Sequence, residues 1–567
     1  MSTSAFKPVP VGFSDFREIR RRGLEYVDKT ALIQHLLDDR GIKAMVFPRP
    51  RRFGKTLNLS TLRYFFEKSD EDRAYLFEGT AIWEAGEPYR SHFQRYPTIY
   101  LTFKDLHPSN LDEWRSEIAF FFQQLLMQYR SLLQDNTLKP WEKKEFMAVL
   151  EKRADIATLQ QVLKDLSAWL HRRHGEPVVI LIDEYDTPIH DAELGGFGKE
   201  VFGFIDTLLG AALKDNPHFF KGVITGILRV VGDSFFSGLD DFTAYDILQK
   251  PYSTCFGFTE AEVDSLFRRA GLEDRIEEAR TWYKGYNFGG NVIYNPWSIV
   301  NYVSDPDGRR RDYWLDTSSN GLVRDLLIRH ALTVDADIRA LIDGGEIHKR
   351  ISGNVVLSKA SEDPHAMWNL FLFTGYLNAR RLPLDDLDII SRYALSIPNR
   401  EVRLVYTRTF RRWMEIFFRH QSGGTEAFIR DLFNGDTWAL EWKLEQFAAS
   451  ISSEYDRFKG DPALIPTGLV LGLFVVLHGT HRVVSNWELG RHRLNVSIIP
   501  REPGRPGVVM ALMIDCPEQR PLEEVLTQAV KRLDEQDDEA ALVQAGAEPI
   551  HVYAVGFADE EVRVVKA

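Results

Sequence analysis

At 567 residues the chain has room for about three or four domains, and 44% hydrophobic and 27% charged residues with 39 Gly and 25 Pro exclude a disordered, collagen-like or fibrous chain. Its 70 basic and 82 acidic residues leave a net charge of −12, so nothing attracts nucleic acid or an anionic membrane globally and any polyanion site has to be local. The two cysteines, Cys255 and Cys516, can build neither a disulfide framework nor a cysteine zinc site. The N-terminal stretch MSTSAFKPVPVGFSDF does not read as a secretory signal. The longest apolar run, 463–477, falls short of the roughly 20 residues of a membrane-spanning helix and contains Pro466. These features predict a soluble cytoplasmic protein with no membrane partner.

In chain order, apolar runs of strand length occupy 42–47 (IKAMVF), 97–103 (PTIYLTF), 178–183 (VVILID) and 221–227 (KGVITGI). Their continuous apolar character suits parallel strands buried on both faces. Amphipathic stretches between them, such as 56–68, 114–133 and 159–175, have the length and period of crossover helices. This predicts an α/β fold with a doubly wound, mostly parallel sheet over 1–256. From 257 to 455 helical segments alternate with aromatic turns (WYKGYNF, YNPWSIVNYV, DYWLDTSSN), predicting a helical middle region. Beyond 456 the order is helix, two strands (LNVSIIP, GVVMALMID), helix (EEVLTQAVKRLDEQ) and strand (HVYAVGF), a small C-terminal α/β domain.

The first strand runs into PRPRRFGKTLNLS, where Gly54, Lys55 and Thr56 close a loop and open a helix. A P-loop needs backbone N–H groups converging on phosphate, a Lys reaching the β- and γ-phosphates, and a hydroxyl on Mg²⁺, all at a helix N-terminus. The strict pattern has Gly where this chain has Arg49, so the triplet alone is weak evidence. The third apolar run supplies the complement, because it delivers Asp183 and Glu184 at the edge of the sheet where ligands bind. Asp183 is expected in the Mg²⁺ shell, and Glu184 is expected to orient or deprotonate the attacking water. Thr225, ending the fourth run, is positioned to sense the γ-phosphate, and Arg229 to neutralise charge, although a capping Thr and a surface Arg fit equally well. Arg51, Arg52, Phe53 and Leu57 complete the expected nucleotide-binding set; Arg51 or Arg52 either strengthens phosphate binding or turns outward toward a neighbouring subunit of an oligomer.

The series GFSDFREIRRRGLEYVDKT, FPRPRRFGKTLNLSTL, YPTIYLTFKDL, VVILIDEYDTPI, TGILRV, SFFSGLDDF, FGFTEAEV, WYKGYNF, YNPWSIVNYV, LFTGYL and IPNREV resembles the bacterial AAA-ATPase-like proteins that carry a C-terminal PD-(D/E)XK nuclease domain. In that family RPRRFGK[ST] is the usual P-loop, so Arg49 conforms to it. The resemblance implies a nucleotide-binding ATPase using ATP and Mg²⁺ through Lys55, Thr56, Asp183 and Glu184. The family has suggested links to mobile elements or defence.

The nuclease core needs an Asp on one strand and a Glu-x-Lys on the next to hold Mg²⁺ and steady water. The resemblance puts those positions at Asn495, Ala511 and Met513, which offer no carboxylate to a hard cation. The expected domain at 456–567 is therefore a degenerate, non-cleaving nuclease fold, with Asp515 and Glu518 as displaced carboxylates if cleavage survives.

Three functions follow. The first is an ATPase whose nucleotide cycle switches a multi-domain arrangement. The second is a nucleic-acid- or partner-binding protein with structural nucleotide, and the third is an active nuclease. The aromatic segments 282–288 and 294–297 read as core packing before base stacking, Arg309 to Arg311 as a solvated loop, and His107, His174 and His190 as no metal site.

Overall fold

The computed structural model describes all residues except 1–5, 135, 215, 230–241, 306, 308–311, 315–320, 354–356, 361, 384–390, 419–422, 459–463, 489–492, 515–520, 536–538 and 559–560. Arg309 to Arg311, Asp515, Cys516, Glu518 and most of SFFSGLDDF lie outside the described residues. Two compact units divide the chain, Met1–Ser318 with Glu346–Val402, and Ser319–Gly345 with Arg403–Ala567. The expected boundary at 256 falls inside the first unit, and that at 455 falls inside the helix Thr437–Phe458 of the second.

The first unit is organised by five strands, β1 (Ala44–Pro48), β2 (Thr98–Thr102), β3 (Val178–Asp183), β4 (Phe219–Gly226) and β5 (Phe242–Ala244). All pair in parallel, in the order β2-β3-β4-β1-β5. Every residue of β1 and β3 is buried, as continuous apolar strands covered on both faces must be. Parallel neighbours require crossovers, and the helices Lys55–Phe66, Leu111–Met127, Ile156–His174 and Gly198–Leu213 lie between successive strands. Side chains start two of them: Asn110 accepts from the Glu113 N–H and Asp155 from the Thr158 N–H. The helix Lys55–Phe66 is different, starting at Gly54 with φ +81° and no side-chain cap. One face of the sheet meets it through Met45, Phe47, Leu181 and Val223 against Leu59 and Leu62. Because β4 is inserted between β1 and β3, the C-terminal ends Pro48, Asp183 and Gly226 stand side by side.

The stretch expected to be helical contains strands as well. β6 (Phe258–Thr259), β7 (Lys284–Phe288) and β8 (Asn291–Tyr294) form an antiparallel sheet, and β9 (Ile347–Arg350), β10 (Asn378–Arg381) and β11 (Arg392–Ser396) form a second. Each has at most five residues, too few for a period of two to be distinguished from an aromatic turn. Tyr283, Tyr286, Phe288 and Tyr294 are buried, so the segments WYKGYNF and YNPW are core. Glu401 is buried next to them, accepting from the Trp314 N–H (2.7 Å) and the Ser298 hydroxyl (2.8 Å).

The second unit carries β12 (His481–Glu488), β13 (Arg493–Pro500), β14 (Gly507–Ile514), β15 (Ile550–Ala558) and β16 (Glu561–Lys566), in that spatial order. Only β14 and β15 are parallel, and the helix Leu522–Glu535 lies on their crossover. The edge strands β12 and β16 add to the expected order. The helix Leu464–Leu477 is apolar all round, and Leu469, Leu471 and Leu473 are fully buried, as such a helix must be. Asn495 pairs directly with Ala511, so residues 495, 511 and 513 share one face of the sheet. On that face Met513 packs against Val525, Leu526, Ala529 and Ala554.

Met513→Lys is expected to lower stability by about 2–4 kcal/mol, because an ammonium would replace a thioether in an apolar cluster. Urea unfolding checks this, and an unchanged midpoint would show that the cluster opens readily. Burial raises Glu401 from 4.5 to about 7, so its contribution to stability is complete below the lower value and is lost as pH rises through the upper one. Glu401→Gln should flatten the fall in stability across that window, whereas equal slopes in both proteins would assign it to other groups.

Candidate functional site

The expected phosphate loop compresses a strand end, a turn and a helix start into nine residues. Gly54 takes the left-handed backbone that lets the chain enter the helix, and Arg52 also has positive φ (+69°). The first N–H groups of the helix Lys55–Phe66 are left to whatever occupies the loop, the arrangement that receives phosphate. Lys55 is buried, and its Nζ donates to the carbonyls of Arg49 and Pro50, both at 3.0 Å. Burial holds its pKa below the usual lysine value, while Glu184, Asp183 and Asp186 push it back up.

Asp183 stands at the centre. It is 1% exposed, and its two oxygens accept from Thr56 Oγ1 (2.7 Å) and Thr225 Oγ1 (2.5 Å). One carboxylate therefore joins the helix after β1 to the ends of β3 and β4. Thr56 and Asp183 form a hard, all-oxygen pair, the donor type that suits Mg²⁺. Glu184 follows with φ +50° and a half-buried side chain. Burial raises its pKa, with Lys55 opposing.

Arg49, the departure from the strict glycine pattern, turns its side chain inward. Its guanidinium is 0% exposed and donates to the carbonyls of Pro48 (2.8 Å), Tyr245 (2.5 Å) and Tyr252 (3.5 Å), packed against the rings of Phe256 and Phe288. Burial pushes its pKa down to about 10, leaving it charged at neutral pH. Phe53 is equally internal, packed on Tyr286 and Phe288, while its carbonyl accepts from the Gly257 N–H (3.1 Å). The loop thus has an aromatic wall from beyond residue 256. Pro50 touches that wall at Gly375, where a Cβ would stand 2.9 Å from the proline ring.

Lys55, Thr56, Asp183, Glu184 and Thr225 are thus brought together at the strand ends. Leu57 lies half-buried in the first helical turn, and Arg51 is exposed on the loop. Arg52 lies over the Trp297 ring, 4.2 Å from its centroid. Burial lowers its pKa first, then Arg51, while Glu184 opposes. Arg229 acts electrostatically on Asp246. His107 and His190 both lie against Asp191, and no group of three or more His, Cys, Asp and Glu able to hold a metal occurs among the described residues. Also among them, no helix is long and apolar enough to cross a membrane. Sequence reasoning noted Arg49 only as a departure from the glycine pattern, read Trp297 as core packing, and passed over Asp186. The available signals were a charged residue at a loop position written as glycine and a second acid three residues after Asp183.

Residues 10–236 match the AAA-ATPase-like family, described as predicted AAA-ATPases. An uncharacterized protein in the vnfD 5′ region of Azotobacter chroococcum mcd 1 is 26% identical over 405 residues, spanning 70% of this chain and 68% of that protein.

Arg49→Lys is expected to cost about 2 kcal/mol or more, because one ammonium cannot reach carbonyls that the two guanidinium nitrogens serve separately. Thermal unfolding tests this, and a midpoint within a degree or so of the wild type would make the staple dispensable.

Proposed function

We propose that the chain is an ATPase that splits ATP into ADP and phosphate, with Lys55, Thr56, Asp183 and Glu184 as its working groups. The observation that carries this reading is the pair of hydroxyls on one buried carboxylate, Thr56 and Thr225 on Asp183, beside the uncapped helix start at Lys55. The AAA-ATPase-like match over 10–236 supports the same class.

In this reading the open N–H groups after Gly54 receive the phosphates, and Lys55 leaves the Arg49 and Pro50 carbonyls to reach them. Thr56 and Asp183 would hold Mg²⁺, which supplies charge neutralisation on the phosphate oxygens. Glu184 orients the attacking water and takes up its proton, and its upward shift makes the carboxylate a better base than an exposed one. Thr225 ties the end of β4 to the same carboxylate, so a change at the γ-phosphate reaches that strand.

The finer organisation is part of the proposal: an ATPase portion at 1–256, a middle region at 257–455 that the nucleotide cycle rearranges, and a non-cleaving module at 456–567. Contacts of Phe53, Pro50 and Arg52 with residues 286–297 and 375 support the coupling within the first unit. Apolar packing of Met513, on the face shared with Asn495 and Ala511, supports a module unable to bind a catalytic metal.

Phosphate release from MgATP and binding of a fluorescent ATP analogue test the reading. Lys55→Ala should abolish both, and Glu184→Gln should keep binding while lowering turnover by about 100-fold or more. A wild-type protein that neither binds nor hydrolyses ATP would overturn it. Binding without turnover would favour a structural nucleotide.

A further inference from the structure

The acidic turn after β3 is tied to the end of β4 well beyond their backbone ladder, which runs in parallel register only as far as Ile182 and Ile224. Past that point side chains and one further backbone bond continue the pairing. The Thr225 hydroxyl donates to Asp183 (2.5 Å), the Tyr185 N–H to the Thr225 carbonyl (3.2 Å), and the Tyr185 hydroxyl to the Leu228 carbonyl (2.9 Å). Asp186 closes the series, its Oδ2 accepting from the N–H groups of both Ile227 and Leu228 at 2.9 Å. Asp183, Tyr185 and Asp186 are each at most 4% exposed. The fit leaves no slack, because a Cβ on Gly226 would stand 2.5 Å from Asp186 Oδ1 and 2.7 Å from the Tyr185 ring.

Glu184 sits between these pinned residues with φ +50°, a left-handed conformation that a side chain with a Cβ adopts only under strain. Such a conformation persists when its flanks are over-determined, and here both flanks are fastened to β4. Asp186 holds two successive amides just after the strand that carries Thr225, and its Oδ1 has no hydrogen-bond partner among the described residues.

We propose that Asp186, together with Tyr185, is a positioning residue that locks the acidic turn onto the end of β4, holding Glu184 in its left-handed conformation and making Thr225 and Glu184 move as one body. The proposal deepens the ATPase reading and rests on it. Asp186 acts through Glu184, so it governs turnover far more than nucleotide affinity, which the phosphate loop supplies from the other side of the site.

The test compares full-length wild type, Asp186→Ala, Asp186→Asn and Tyr185→Phe in MgATP turnover, binding of a fluorescent non-hydrolysable ATP analogue, and thermal unfolding. Asp186→Ala should lower kcat by about 30-fold while changing Kd by less than about threefold. Asp186→Asn keeps an acceptor for both amides and should restore kcat to within about fivefold of wild type. Should Asp186→Ala fail to fold, Tyr185→Phe carries the test, since it removes one hydroxyl and leaves the ring, and a lower kcat at unchanged Kd supports the proposal. Unchanged kcat in the folded variants, a parallel loss of kcat and Kd, or an Asn variant as impaired as the Ala variant would overturn it. A wild type without turnover sinks the ATPase reading and this inference together. An active wild type with an equally active Asp186→Ala sinks the inference alone.

Discussion

A carboxylate that is 1% exposed is tolerable only if its oxygens are satisfied, and Asp183 meets that condition with two hydroxyls from different parts of the chain. Thr56 comes from the first turn of a helix and Thr225 from the end of a strand, 127 residues before and 42 residues after it. The observed order, with β4 between β1 and β3, brings both within reach of that carboxylate. One buried carboxylate thus links the first helical turn after β1 to the ends of β3 and β4.

The loop depends on a second buried charge. Arg49 turns its guanidinium to the underside of the loop, where backbone carbonyls from 245 and 252 and two aromatic rings receive it. Its own carbonyl, with that of Pro50, faces the other way and holds Lys55. One residue therefore fixes the loop from below while presenting the acceptors that park the lysine above. A glycine could make the second contact but not the first.

What the sequence disclosed follows from burial. The runs at 42–47, 97–103, 178–183 and 221–227 coincide with β1 to β4 to within two residues, because strands covered on both faces are apolar throughout. The strands that escaped notice in the two large sheets, β5, β12 and β16, all lie at edges. Edge strands carry polar residues outward and need no continuous apolar run, and β5 has only three residues. That Lys55, Thr56, Asp183 and Glu184 lie together was legible because a helix start and a strand end constrain residue type locally. The aromatic wall of Tyr286, Phe288 and Trp297 was not, since contacts across more than 200 residues leave no local periodicity.

That wall bears on how the chain can be divided. A fragment ending near residue 236, where the family match stops, would uncover Phe53, strip the Gly257 amide from its carbonyl and leave Lys29 without Glu262, its partner at 2.6 Å. An apolar ring beside a charged loop would then face water, a surface that invites aggregation during expression. The boundary of recognisable similarity therefore cuts through contacts that belong to one compact unit, Met1–Ser318 with Glu346–Val402.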